Sequence, residues 1–85
     1  MNKIITIVYE SKEKAEEVIS KMKRCIEEYG NGNVTVAELY KLSGKDSNIE
    51  YMDYKYGWTD ISKVYMRTER DGTCYVKFGK PSIVF

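Results

Sequence analysis

The densest set of chemically capable side chains in this sequence is Glu50 to Asp60, Glu-Tyr-Met-Asp-Tyr-Lys-Tyr-Gly-Trp-Thr-Asp. It holds three carboxylates, three tyrosines, a lysine and the only tryptophan. Asp53 and Asp60 in an aromatic setting suggest the paired carboxylates of a glycoside hydrolase. Such a site needs a long sugar cleft and a set carboxylate separation, which 85 residues have little room to build. Asp46-x-Asn48-x-Glu50 has the opening of a calcium loop. Tyr51 stands where that loop needs glycine, and Gly57 where it needs the bidentate glutamate. The absence of histidine excludes histidine acid–base chemistry. Cys25 and Cys74, far apart and without a C-x-x-C pattern, do not make a zinc ligand set. A serine or cysteine nucleophile has no base partner except a lysine. Gly30-x-Gly32 lacks the rest of either phosphate-loop motif. The expectation is a non-enzymatic protein with no catalytic residue, metal or cofactor.

Binding chemistry is better supplied. Tyr51, Tyr54, Tyr56 and Trp58 have flat faces with polar tips, the side chains enriched at interfaces and able to stack on bases. Lys55, Arg67, Lys77 and Lys80 can neutralise phosphate. The candidate ligand- or partner-binding residues are Tyr51, Tyr54, Lys55, Tyr56, Trp58, Asp60, Tyr65, Arg67, Tyr75 and Lys77. A competing reading has Trp58 and one or two tyrosines completing a thin core. Gly57 then serves a tight turn that aims the indole inward. Within the stretch, Gly57-Trp58-Thr59-Asp60 reads as the structural anchor and Tyr51 to Tyr56 as the contact surface.

The elements that must position these groups can be read in order. Lys3 to Tyr9 is rich in β-branched residues and predicts a strand. Ile5, Ile7 and Tyr9 fall on one face, Ile4 and Val8 on the other, so a central strand covered on both sides is expected, with another subunit as one cover. Ser11 predicts an N-cap. Ala15, Val18, Ile19, Met22, Ile26 and Tyr29 then form one helical stripe with Cys25 at its edge, closed by Gly30. Glu17/Lys21, Lys23/Glu27 and Arg24/Glu28 face solvent at i,i+4. Thr35-Val36-Ala37-Glu38 predicts a capping box, with Val34 and Leu39 as its hydrophobic staple, opening a short helix that stops at Gly44. Two helices invite a helix-turn-helix reading, but the second carries only Lys41 as a cation and no third helix follows.

Asp71-Gly72 predicts a hairpin. A three-residue loop with a glycine bulge puts Cys74 opposite Thr68, Val76 opposite Met66 and Phe78 opposite Val64, all on one side. The other side then carries Tyr65 opposite Lys77 and Arg67 opposite Tyr75, which allows cation–π contact. Pro81 closes the last strand. The apolar end Ile83-Val84-Phe85 suggests docking on the core or, by slight preference, on a neighbouring subunit.

These elements describe a single domain spanning residues 1–85, an α+β fold. A small antiparallel sheet, the N-terminal strand plus the C-terminal hairpin, packs against one long and one short helix. So short a chain buries only about 60–65% of its unfolded surface, which favours a homo-oligomer. Fourteen Lys and Arg against thirteen Asp and Glu disfavour both a generic nucleic-acid binder and an acidic DNA mimic. With no signal-peptide pattern and no long apolar run, a cytoplasmic protein with reduced thiols and no membrane partner is expected.

With the elements placed, the chain resembles a family of small, mostly uncharacterised bacteriophage proteins. They share a T-V-A-[DE]-L-Y element, here Thr35 to Tyr40, and a [YW]-G-W-T-D-[LI] element, here Tyr56 to Ile61. The similarity runs from Ser11 to Pro81. This chain differs in an expanded Ser47–Met52 loop and in a less apolar last strand, Gly72 to Lys77. The resemblance implies viral origin and transfers no site residue. It associates the chain with anti-defence proteins acting in the host cytoplasm, and two functions follow as expectations. The first is sequestration of a nucleotide-type immune signal, with Tyr54, Tyr56 and Trp58 stacking the base and Arg67, Lys55 or Lys77 holding phosphate. The second is inhibition of a host defence protein in the anti-CRISPR manner. A small regulatory nucleic-acid binder is the third reading.

Overall fold

The computed structural model describes residues 4–28 and 32–84. The fold is α+β, as the sequence predicts. Strand β1 (Ile5–Tyr9) leads into helix α1 (Lys12–Glu27). Strand β2 (Val34–Thr35) runs directly into helix α2 (Val36–Leu42). Two 3-10 turns, Asp46–Asn48 and Tyr51–Tyr54, precede β3 (Tyr56–Trp58). Then come β4 (Tyr65–Thr68), β5 (Cys74–Phe78) and β6 (Ser82–Ile83).

The main sheet has the antiparallel order β1-β5-β4. The hairpin adopts the predicted register: Tyr65 faces Lys77, Met66 faces Val76, Arg67 faces Tyr75 and Thr68 faces Cys74. Its loop closes through the Gly72 amide donating to the Glu69 carbonyl at 3.1 Å and the Glu69 amide donating to the Thr73 carbonyl at 2.8 Å. Gly72 holds φ +92°, a left-handed value that favours glycine. The chosen register buries Cys74, Val76 and Phe78 together and leaves Tyr65, Arg67 and Lys77 exposed.

α1 covers the buried face of β1 and β5. Ser11 caps it, its hydroxyl accepting from the Lys14 amide at 3.1 Å. Ala15, Val18, Met22 and Cys25 are buried, while Ile19 and Ile26 are half-buried. Cys25 therefore belongs to the centre of the stripe rather than its edge. Of the expected surface pairs, Glu17–Lys21 (3.1 Å) and Arg24–Glu28 (3.8 Å) form, joined by Lys12–Glu16 (3.7 Å). The Lys23–Glu27 pair is not formed among the described residues. Tyr29, Gly30 and the predicted helix stop lie outside the described residues.

Thr35 caps α2 as expected, accepting from the Glu38 amide at 3.1 Å. The Glu38 carboxylate does not complete the box. It accepts instead from the Cys25 thiol at 3.1 Å and so ties α2 to α1. Val34 and Leu39, the expected staple, are both fully buried in one core. Gly44 follows α2 with φ +72°.

Two expectations are corrected, and for the tail one of the two dockings expected is seen. β1 is an edge strand, and its second face is open: Ile4 is 46% and Val8 55% exposed. One long helix covers one sheet face, and the described residues supply no layer for the other. Gly57 serves no turn. It lies in β3, the middle strand of a second small sheet ordered β2-β3-β6. The apolar tail docks on its own chain: Ser82 and Ile83 pair with Gly57 and Tyr56, and the Val84 amide donates to the Lys55 carbonyl at 2.9 Å. The Ile83 side chain stays 66% exposed. Phe85 lies outside the described residues.

Candidate functional site

The Glu50–Asp60 stretch is divided by its own backbone. Glu50 and Asp53 form a reciprocal cap around the Tyr51–Tyr54 turn, in which Asp53 Oδ2 accepts from the Glu50 amide at 2.9 Å. Asp53 is thereby buried as a structural acid. The three-residue period of a 3-10 turn stacks side chains at i and i+3. Tyr51 and Tyr54 thus share one side of the turn, 71% and 48% exposed. Met52 beside them is 44% exposed. A cation covers each ring: Lys55 Nζ lies 4.8 Å from the Tyr51 centroid and Lys41 Nζ 5.4 Å from that of Tyr54. The turn packs on α2 and β3.

β3 turns the rest of the stretch inward. Trp58 is buried, its ring 5.8 Å from that of Phe78, and its Nε1 donates to the Gly79 carbonyl at 2.8 Å. Tyr56 is half-buried against the same core. Asp60 is exposed, but its Oδ1 accepts from the Ser62 amide at 2.8 Å, so it shapes the turn into Ile61. That hydrogen bond holds its carboxyl below the usual carboxylate range. Trp58 and Asp60 thus take the anchoring part expected of Gly57–Asp60, and Tyr56, expected in the contact surface, is half-buried. The hydrogen bonding of Glu50 with Asp53 is the element sequence reasoning missed, although two carboxylates three residues apart before an irregular segment are a readable signal.

The remaining predicted residues lie on the open face of the main sheet. Tyr65 and Arg67 flank the half-buried Met66 in β4, and Tyr75 and Lys77 alternate with the buried Cys74, Val76 and Phe78 in β5. Across the strands they form two rows, Val8–Tyr75–Arg67 and Thr6–Lys77–Tyr65. The Arg67 guanidinium lies 5.1 Å from the Tyr75 centroid, while its Nη2 and Nε reach Glu69 Oε1 at 2.8 Å. Hydrogen bonding to Glu69 raises the Arg67 pKa. Tyr65 is 51% exposed. The ten residues read from sequence thus divide into a turn patch, a sheet face and an internal anchor.

Among the described residues, no group of three His, Cys, Asp or Glu could hold a metal ion. No buried side-chain nitrogen or oxygen there lacks a hydrogen-bond partner. No helix there is long and apolar enough to cross a membrane. Both cysteines are buried and unpaired with each other. Burial first, then the hydrogen bond to Glu38 and its charge, push the Cys25 thiol up to about 11 from 9.0. The folded state thus favours the neutral thiol. That contribution is whole below pH 9 and is lost as pH rises from 9 through 11. Urea midpoints are expected to fall across this window by more in the wild type than in Cys25→Ala. Parallel pH profiles would contradict the buried thiol–carboxylate contact.

No family model, no curated protein and no solved structure matches the chain.

Proposed function

We propose that this chain is a non-enzymatic bacteriophage anti-defence protein that binds and sequesters a nucleotide-type immune signal in the host-cell cytoplasm. The observation that supports the ligand class is the pairing on the open sheet face: Tyr65 opposite Lys77, and Arg67 opposite Tyr75. An aromatic face next to a cation, twice over, matches a ligand made of flat bases and phosphates. The viral and anti-defence parts of the reading rest on the Thr35–Tyr40 and Tyr56–Ile61 motifs.

Magnitudes argue for more than one copy. A stacked base contributes about 1–3 kcal/mol, and a hydrogen bond to a charged group about 1.5–3 kcal/mol. One stack with one phosphate contact then gives a Kd of tens of micromolar at best. Sequestration needs tighter binding, and a second copy closing over the open face, where Ile4 and Val8 are also exposed, supplies it.

Thermal denaturation with cyclic dinucleotides and NAD-derived cyclic nucleotides tests the reading. A ligand at about 100 times its Kd adds about 2.7 kcal/mol, or about 11–22 °C in Tm for a domain of this size. Arg67→Ala and Tyr65→Ala are expected to lose most of that shift. A protein that is monomeric by light scattering and unmoved by every nucleotide at millimolar concentration sinks the proposal.

A second reading, a protein-binding inhibitor of a host defence protein, is favoured by the turn patch. Tyr51 and Tyr54 each stand exposed beside a cation, Lys55 and Lys41. Exposed Tyr, Met and Tyr in one turn have the composition of an interface hot spot.

A further inference from the structure

A cavity of about 280 Å³ opens at the end of β1, lined by Val8, Tyr9, Glu10, Lys14, Ser43 and Lys45. Three elements meet there: the exit of β1, the first turn of α1 and the C-terminal end of α2. The Tyr9 hydroxyl and Ser43 Oγ, 2.6 Å apart, clamp β1 to the end of α2 and fix one wall. Whichever hydroxyl donates in that bond, the other keeps its proton for an oxygen of a ligand. Burial raises the Tyr9 pKa, so this hydroxyl stays protonated at neutral pH.

Lys14 and Lys45 are both half-buried at the cavity. Among the described residues neither ammonium forms an ion pair, although Lys14 lies near enough to Glu17 to lower that carboxyl's pKa. Against them the cavity sets one carboxylate, the exposed Glu10. Two cations and two hydroxyls around one void make an anion site, with Glu10 opposing it. Whole-ligand pockets run from roughly 300 to 1,000 Å³, so this cavity holds part of a nucleotide. Val8 connects it to the open sheet: it lines the cavity and stands directly across from Tyr75. β1 is an edge strand, so a ligand reaches the open face by passing around its free side.

We infer that this cavity is a phosphate subsite, in which Lys14 and Lys45 hold the phosphates of a nucleotide whose base lies across Val8 and Tyr75. The inference builds on the nucleotide reading above, and it adds to the Arg67 contact a second phosphate contact, from two lysines outside every motif considered.

Inorganic pyrophosphate is the direct probe, titrated calorimetrically into wild type, Lys14→Gln, Lys45→Gln and Glu10→Gln. Saturable binding is expected in the wild type, weakened about tenfold by either lysine change and strengthened by Glu10→Gln. A merely structural role for these surface groups would leave the pyrophosphate affinity unmoved. Absence of wild-type binding, or wild-type affinity retained in both lysine variants, overturns the subsite. ADP separates the two readings. Tighter binding of ADP than of pyrophosphate, with the difference lost in Tyr75→Ala, supports the base platform. Pyrophosphate binding with no gain from the nucleoside keeps the subsite and overturns the sheet platform alone.

Discussion

Gly57→Ala is expected to remove about 3 kcal/mol or more of folding stability. A Cβ at residue 57 would stand 2.1 Å from the Val34 carbonyl oxygen and 2.8 Å from Thr35 Cα. Both neighbours are backbone, so no rotamer change relieves the contact. Val34 and Thr35 also set the entry to α2, and displacing them disturbs Val34, Val36 and Leu39, all fully buried. A domain of this length has a total stability of roughly 4–13 kcal/mol, so the loss is a large fraction of the whole. Each kcal/mol shifts Tm by about 4–8 °C in a small domain, which places the variant more than about 12 °C below wild type. Circular dichroism melting measures it. A Tm within a few degrees of wild type would mean that β2 and β3 separate freely, and would contradict the second sheet.

Trp58→Ala is expected to cost about 3–5 kcal/mol, the range for truncating a large buried aromatic. The ring fills space against Phe78, and its N–H satisfies the Gly79 carbonyl where the chain leaves β5. Trp58→Phe keeps part of the packing and loses the hydrogen bond, at a cost of about 1–3 kcal/mol. The milder variant separates core from site. As a core residue, Trp58 can be Phe with the ligand-induced rise in Tm unchanged, starting from a lower baseline. A folded Trp58→Phe protein that no longer responds to a ligand stabilising the wild type would return the indole to the binding surface.

The parts of this fold that were legible are those specified within a few residues. Ser11 and Thr35 cap their helices because a hydroxyl reaches an amide three residues on. The hairpin register followed from Asp71-Gly72 and the two-residue side-chain period, since a slip by one residue would have exposed Val76 and Phe78. The Arg67–Tyr75 contact came with that register.

Other features depend on residues far apart in the chain. The β2-β3-β6 sheet consists of strands of two and three residues, too short to show any alternation. The local spacing predicts Glu38 as half of a capping box, but a thiol thirteen residues earlier donates to its carboxylate. The apolar faces of β1 looked equally buried. One meets α1, and the other meets no layer among the described residues.

The sequence by itself determined which groups could act: tyrosines and cations suited to binding, no histidine, and a charge near balance. It also determined the hairpin that lines up Tyr65, Arg67, Tyr75 and Lys77, because that alignment is a matter of local register. Only the tertiary structure decided which aromatics of Glu50–Asp60 face outward. β3 pairs on both edges and draws Trp58 onto Phe78, whereas the Glu50–Asp53 cap holds Tyr51 and Tyr54 at the surface. The physical reason is that an aromatic ring gains by burial or by stacking on a ligand through the same flat apolar face. Residue type cannot distinguish these uses, and the direction of each ring is set by what the distant chain leaves uncovered.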